Sequence, residues 1–166
     1  MKKRRIAGTA GGMWIIFMLL YASLSFAAGP TDRTADKKGK CPVCGMRVAM
    51  FADWNAEIVF KDGETVVFDG AKDMFKYYLD LKKYDPSKTM ADVAAVSVKD
   101  YYSGDSIDAL AAYFVIWSDT YGPMGHEPIP FGKETDAVKF LKEHKGRKVL
   151  RFMDITQKLL YALDNP

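Results

Sequence analysis

Cysteine is scarce in this sequence, with two in 166 residues, and histidine is equally scarce. Two cysteines are too few to staple a small disulfide scaffold, and without a second CxxC the chain cannot build a zinc ribbon. It also has no GxSxG elbow, phosphate-cradling glycine loop or HExxH helix, which excludes the common hydrolase, nucleotide and metalloprotease sites. A surplus of one charge is missing too. Lys and Arg number 24 against 21 Asp and Glu, and four of the basic residues are Lys2, Lys3, Arg4 and Arg5, leaving 20 against 21 over the rest. That balance lacks the basic footprint of a nucleic-acid binder.

What is present begins with an export pattern. Lys2 to Arg5 form a positive start, Met13 to Leu24 a short apolar run, and Ser25-Phe26-Ala27 places small residues where a signal peptidase reads. The expectation is a signal peptide over 1–27, cleaved after Ala27, because the apolar run is short for a membrane span of roughly 20 residues. The mature protein is then periplasmic. With no cysteine at the cleavage point, no lipid is expected there, and membrane contact comes only through partners.

Residues 28–40 are polar and aperiodic and are expected to form a flexible lead-in. Beyond them, 49% hydrophobic residues over the chain suffice for a core. Ile58 to Phe60 and Thr65 to Phe68 flank Asp62-Gly63, a strong hairpin signal. Asp69 is placed to cap a helix whose Ala71, Met74, Phe75, Tyr78 and Leu79 recur at three- and four-residue spacing, and "YDPSK" at 84–88 stops it. Val93 to Val98 is the following strand. The same order recurs: Ala112 to Trp117 and Ile129 to Phe131 as strands, a helix through Ala137, Phe140 and Leu141 ended by Gly146, then a strand over Val149 to Ile155 and a helical stretch at Gln157 to Leu163. The expected class is α+β, with a first ββαβ unit at 41–100, a joint at 101–111 and a second unit at 112–166, the two packed together.

The chemistry concentrates in "GKCPVCGMRVAMF", residues 39–51. Cys41 and Cys44 can close a disulfide or converge on a metal, and their spacing alone does not decide. A dithiol redox pair normally opens a helix, whose dipole lowers the nucleophile's pKa. Here a polar lead-in precedes the pair and a β-rich segment follows it. A zinc site could recruit His126 and His144, although His144 falls on the apolar stripe of its helix, where packing is the simpler role. Cu(I) is the third reading, because a soft ion prefers thiolate and thioether. Gly45 lets the backbone bend so that Met46 can turn toward the same centre as Cys44. Met124 and His126 lie in "TYGPMGHEPIPF", whose Gly and Pro residues exclude regular helix or central strand. Met50, Met74, Met90 and Met153 are taken as core filler, and pairs such as Asp119 and Glu127 as surface carboxylates.

CPVCGM near the start of the mature part, the "FDG" after a hairpin, and "SDTYGPMGHEPIPF" together resemble the NosL family, copper-binding accessory proteins of nitrous oxide reductase. The resemblance covers nearly all of the mature chain. It implies two related ββαβ units, as in the metal-binding part of organomercurial lyase, and a Cu(I) ion bound outside the inner membrane and handed on to copper-protein partners for assembly of the reductase. By position it carries the metal ligands over to Cys44, Met46 and Met124, while Cys41 is present only in some such sequences; His126, in the same segment as Met124, is expected from its place to assist. Family members are often lipoproteins, a point from which this chain departs. The expectation is a binding protein, not an enzyme, with Cu(I) as its ion and zinc as the weaker alternative.

Overall fold

A computed structural model of the protein describes residues 39–166. The expected signal peptide and most of the lead-in lie outside the described residues.

The Asp62-Gly63 turn forms as expected: Gly63 adopts φ +92°, and Asp62 accepts a hydrogen bond from the Glu64 N–H. The turn joins β1 (Ala56–Phe60) to β2 (Thr65–Phe68) in antiparallel register. Alternate residues of β1, Ala56, Ile58 and Phe60, are buried, as a strand with one covered face requires. The chain continues through α1 (Ala71–Leu79), α2 (Leu81–Tyr84), β3 (Val93–Lys99) and β4 (Ser106–Asp108). These strands make one antiparallel sheet in the order β2-β1-β3-β4. Next come β5 (Tyr113–Ile116), a ribbon of β6 (Tyr121–Gly122) and β7 (Gly125–His126), and β8 (Ile129–Phe131). The last elements are α3 (Glu134–Glu143), β9 (Lys148–Arg151) and α4 (Gln157–Asp164). A second antiparallel sheet has the order β8-β5-β9. The class is α+β. No helix among the described residues is long and apolar enough to cross a membrane.

One apolar cluster joins the two sheets. Phe75 on α1 meets Phe114 of β5 edge-on at 5.1 Å and Phe152 at 4.8 Å, so the face of α1 that covers the first sheet also locks onto the second. A smaller cluster of Val115, Ile129, Phe131, Ala137 and Phe140 lies under α3.

Several expectations need correction. The strand foreseen over Val149 to Ile155 stops at Arg151, because Phe152 turns into the core and Asp154 accepts the Arg151 N–H at 2.9 Å, closing a 3-10 turn. The segment 101–111 is not only a joint, since it contains β4. Met50, Met90 and Met153 are 72%, 46% and 82% exposed, so of the four methionines assigned to the core only Met74 fills it. Gly146 does follow α3, but the left-handed residue there is Lys145, at φ +55°. Gly146 is needed for closeness instead: a Cβ would lie 2.6 Å from Val115 Cγ1 and 3.2 Å from the Leu141 backbone. Gly146→Ala is therefore expected to lower stability by about 1–3 kcal/mol, the usual cost of overpacking. Urea unfolding checks this, and an unchanged midpoint would show that α3 gives way freely.

Candidate metal centre

The two cysteines sit in a tight turn built by backbone hydrogen bonds. The Gly45 N–H donates to the Cys41 carbonyl at 2.8 Å, and the Cys41 N–H donates to the Met46 carbonyl at 2.8 Å. A bridge between Lys40 and Arg47 closes its base. Gly45 adopts φ +78° with open space where a Cβ would stand, so the backbone conformation and not crowding calls for glycine. The turn points Cys41 into the core at 1% exposure and leaves Cys44 half-buried.

Facing the turn is the start of α1. Asp69 directly follows β2, two residues before α1 begins, and Asp73 lies in the first turn of α1. Both carboxylates are fully buried. The Cys41 thiol donates to Asp73 Oδ2 and the Cys44 thiol to Asp69 Oδ2, each at 3.3 Å. Ligand atoms from these four residues all lie within 4.8 Å of one another, an arrangement that could hold a metal ion. Asp69 Oδ1 and Asp73 Oδ1 are buried without a hydrogen bond, and Lys76 Nζ is an ion-pair partner of Asp73 Oδ1 at 3.5 Å. Buried carboxylate oxygens are ordinarily satisfied, so these two are open to a cation.

Burial is the largest influence on both thiols and opposes thiolate formation. It pushes Cys41 far up and, with Asp73 adding to the effect, raises Cys44 to about 11. This is the opposite of the lowered pKa that a dithiol redox pair uses, and the pair lies in a turn instead of opening a helix. A metal ion here must displace protons from sulfur.

The anticipated cap by Asp69 is not made, since its carboxylate is engaged by Cys44. Gly70 is the N-cap of α1 and supplies no side chain. The role passes to Glu127, whose Oε2 accepts the Lys72 N–H at 2.8 Å while Oε1 accepts the Met124 N–H at 3.3 Å. Glu127 is 1% exposed, not a surface carboxylate, and burial raises its pKa to about 7. A Cβ on Gly70 would stand 3.1 Å from Glu127 Oε1, and one on Gly122 2.4 Å from Glu127 Cγ. The Lys72 ammonium, itself buried, donates to the Met124 carbonyl and pairs with Asp164 of α4 at 2.9 Å. The turn carrying Met124 is thus tied to the residues next to Asp69 and Asp73.

Of the anticipated site residues, Cys41 and Cys44 come together. Met46 is half-buried in the cysteine turn, and Met124 is half-buried in the β6–β7 turn. His126 belongs to β7, a two-residue strand and not a loop; its ring packs on Trp117 at 5.2 Å and Tyr121 at 4.8 Å, with Nδ1 buried and unbonded. Neither histidine belongs to the four-residue group. His144 stacks on Phe140 at 4.1 Å and contacts Asp119, as its place on the apolar stripe suggested. Asp69, Asp73 and Glu127 went unrecognised as site residues. The available signal was a DxxxD spacing that puts Asp73 on the inward stripe of α1 beside Ala71 and Met74.

A CxxC turn laid on two buried carboxylates at a helix start defines a small α+β protein with a candidate metal centre. The chain belongs to the NosL family, whose profile matches residues 32–160. It is 32% identical over 123 residues to the copper-binding lipoprotein NosL of Stutzerimonas stutzeri, a match covering 73% of this chain and 64% of that protein's length. Its structure is similar to the crystal structure of the copper chaperone NosL from Shewanella denitrificans, with a TM-score of 0.61 and 27% identity over 74% of this chain and 93% of that one.

The thiol shifts have a direct readout. With Cys44 moved from 9.0 to about 11, its thiolate at pH 8 is about 100-fold scarcer than in the unfolded chain. Iodoacetamide is expected to alkylate the folded protein correspondingly slowly, Cys44 before Cys41, and urea should restore an ordinary rate. The folded thiol holds its proton to higher pH than the unfolded one, so stability is expected to fall as pH rises from 9.0 toward about 11.

Proposed function

We propose that the protein is an exported, periplasmic Cu(I) carrier that takes up and releases its ion by ligand exchange, serving assembly of the copper centres of nitrous oxide reductase. The observation that carries this reading is the convergence of the Cys41 and Cys44 sulfurs at a site where one is sealed and the other half-open. The copper-related names of the Stutzerimonas and Shewanella relatives support the choice of ion. So does the name lipoprotein for export, although in this chain both cysteines stand in the site.

Cu(I) has a filled d shell and makes little geometric demand, so two sulfurs can hold it while a third coordination position stays free. Cys44 is the principal ligand in this scheme, supported from the sealed side by Cys41. Cys44 faces the partner, whose sulfur approaches, binds the ion alongside it and leaves with it; no bond other than coordination changes. Met46 in the same turn supplies a thioether, and Met124 and His126, anchored beside the start of α1, assist. The architecture fits a reading in which the chain holds two copies of one ββαβ unit, supported by β1 lying between β2 and β3 as β5 lies between β8 and β9, with β4 added at the edge of the first sheet.

An anaerobic Cu(I) titration of the full chain against a strong competitor tests this proposal. Cys44→Ser is expected to lose affinity most, Cys41→Ser less, and Met46→Leu measurably. Affinity should climb with pH below about 11, because protons compete for Cys44. Equal losses at both cysteines with none at Met46 would refute the proposed ligand set.

A further inference from the structure

We infer that the same cluster is also a closed four-ligand site for a borderline divalent cation of the Zn(II) class, with Asp69 and Asp73 as ligands beside Cys41 and Cys44. This rests on the cluster being a metal site, as above, but assigns it a second cargo and two further ligands. Cu(I) is satisfied by two or three soft donors and has little use for carboxylate oxygen. A pure Cu(I) site therefore leaves two buried carboxylates unexplained. Zn(II) accepts thiolate and carboxylate together and prefers four donors in a tetrahedron.

The geometry fits. Zn–S bonds of about 2.3 Å and Zn–O bonds of about 2.0 Å place tetrahedral S₂O₂ donors roughly 3.3 to 3.8 Å apart. Both sulfur–carboxylate contacts are 3.3 Å, and all four donor atoms already lie within 4.8 Å of one another. Asp69 Oδ1 and Asp73 Oδ1 are buried without a hydrogen bond, and Asp73 Oδ1 has only the long ion pair with Lys76 at 3.5 Å, so each carboxylate keeps an oxygen available to a cation. Charge points the same way. Among the described residues, the ion pair made by these two carboxylates and two thiolates is that of Lys76 with Asp73 at 3.5 Å, while the buried Lys72 is drawn off to Asp164 and the Met124 carbonyl. A divalent ion offsets more of that charge than a monovalent one. Because both ions need the same two sulfurs, they exclude each other. Zinc-loaded protein cannot take copper until the carboxylates and thiolates let go.

The test uses the full chain, reduced and anaerobic, with Co(II) as a spectroscopic stand-in and Zn(II) as its displacer, alongside the Cu(I) titration. Co(II) is expected to give tetrahedral visible bands and a thiolate charge-transfer band, both abolished by one equivalent of Zn(II). Asp69→Asn and Asp73→Asn should each weaken Co(II) and Zn(II) at least about 10-fold, a loss that even outer-sphere partners produce. Their Cu(I) affinity should stay within about threefold. Unchanged Zn(II) affinity in both variants, or equal losses of Cu(I) and Zn(II), overturns the inference. Should a variant fail to fold, X-ray absorption on the zinc-loaded wild type decides. Two sulfurs and two light donors without imidazole scattering support the site, and any other shell rejects it. Failure of Cu(I) binding in the wild type would sink the carrier reading while leaving the divalent result to stand by itself.

Discussion

The carboxylate of Glu127, received by the first turn of α1, is the contact on which the arrangement of the site depends. A helix start leaves N–H groups without partners, and burying them unpaired is costly. Gly70 cannot cap the helix, and Asp69 is occupied with a thiol. A carboxylate from the segment between β7 and β8 meets the need, at the positive end of the helix where a negative group is favoured. Gly70 and Gly122 let it approach, because a side chain on either would collide with it. The loop of the second sheet is therefore fixed against the element that carries Asp69 and Asp73, and Lys72 adds a tie to α4.

This anchoring frees the other side of the helix start for chemistry. Capping by Glu127 leaves the two aspartates to face the cysteine turn, where both carboxylates and Cys41 are buried. In such surroundings a thiol holds its proton and a carboxylate oxygen without a hydrogen bond is costly, so the donor set favours a positive charge. The asymmetry of the pair then matters. Cys41 is sealed and Cys44 half-open, a division between holding an ion and presenting it. The donor set also mixes soft and hard atoms, so which ion is held depends on how many of the four take part.

Much of the fold was legible because its signals are local. Asp62-Gly63 fixes a hairpin by its backbone preference, and the stripe through Ala71, Met74 and Phe75 marks α1 by period. The boundaries of β2 and β8 fall where β-rich residues begin and end. Legibility failed where a residue had two local options and a distant partner chose. Asp69 at a helix start is ordinarily a cap, and Cys44, 25 residues earlier, took its carboxylate instead. Phe152 continued a β-rich run until the pull of the core bent the chain. Glu127 beside a histidine and two prolines had the composition of a surface loop, and only the uncapped helix drew it inside.

The sequence by itself determined the chemistry available: two thiols separated by two residues, a glycine allowing the bend behind them, and thioethers held in turns. Side-chain type and backbone preference are properties of a few neighbouring residues and need no fold to be expressed. The tertiary structure alone decided which groups meet. Cys41 reaches Asp73 across 32 residues and Lys72 reaches Glu127 across 55, because burial leaves polar groups no water to turn to and they bond whatever the packing brings within reach.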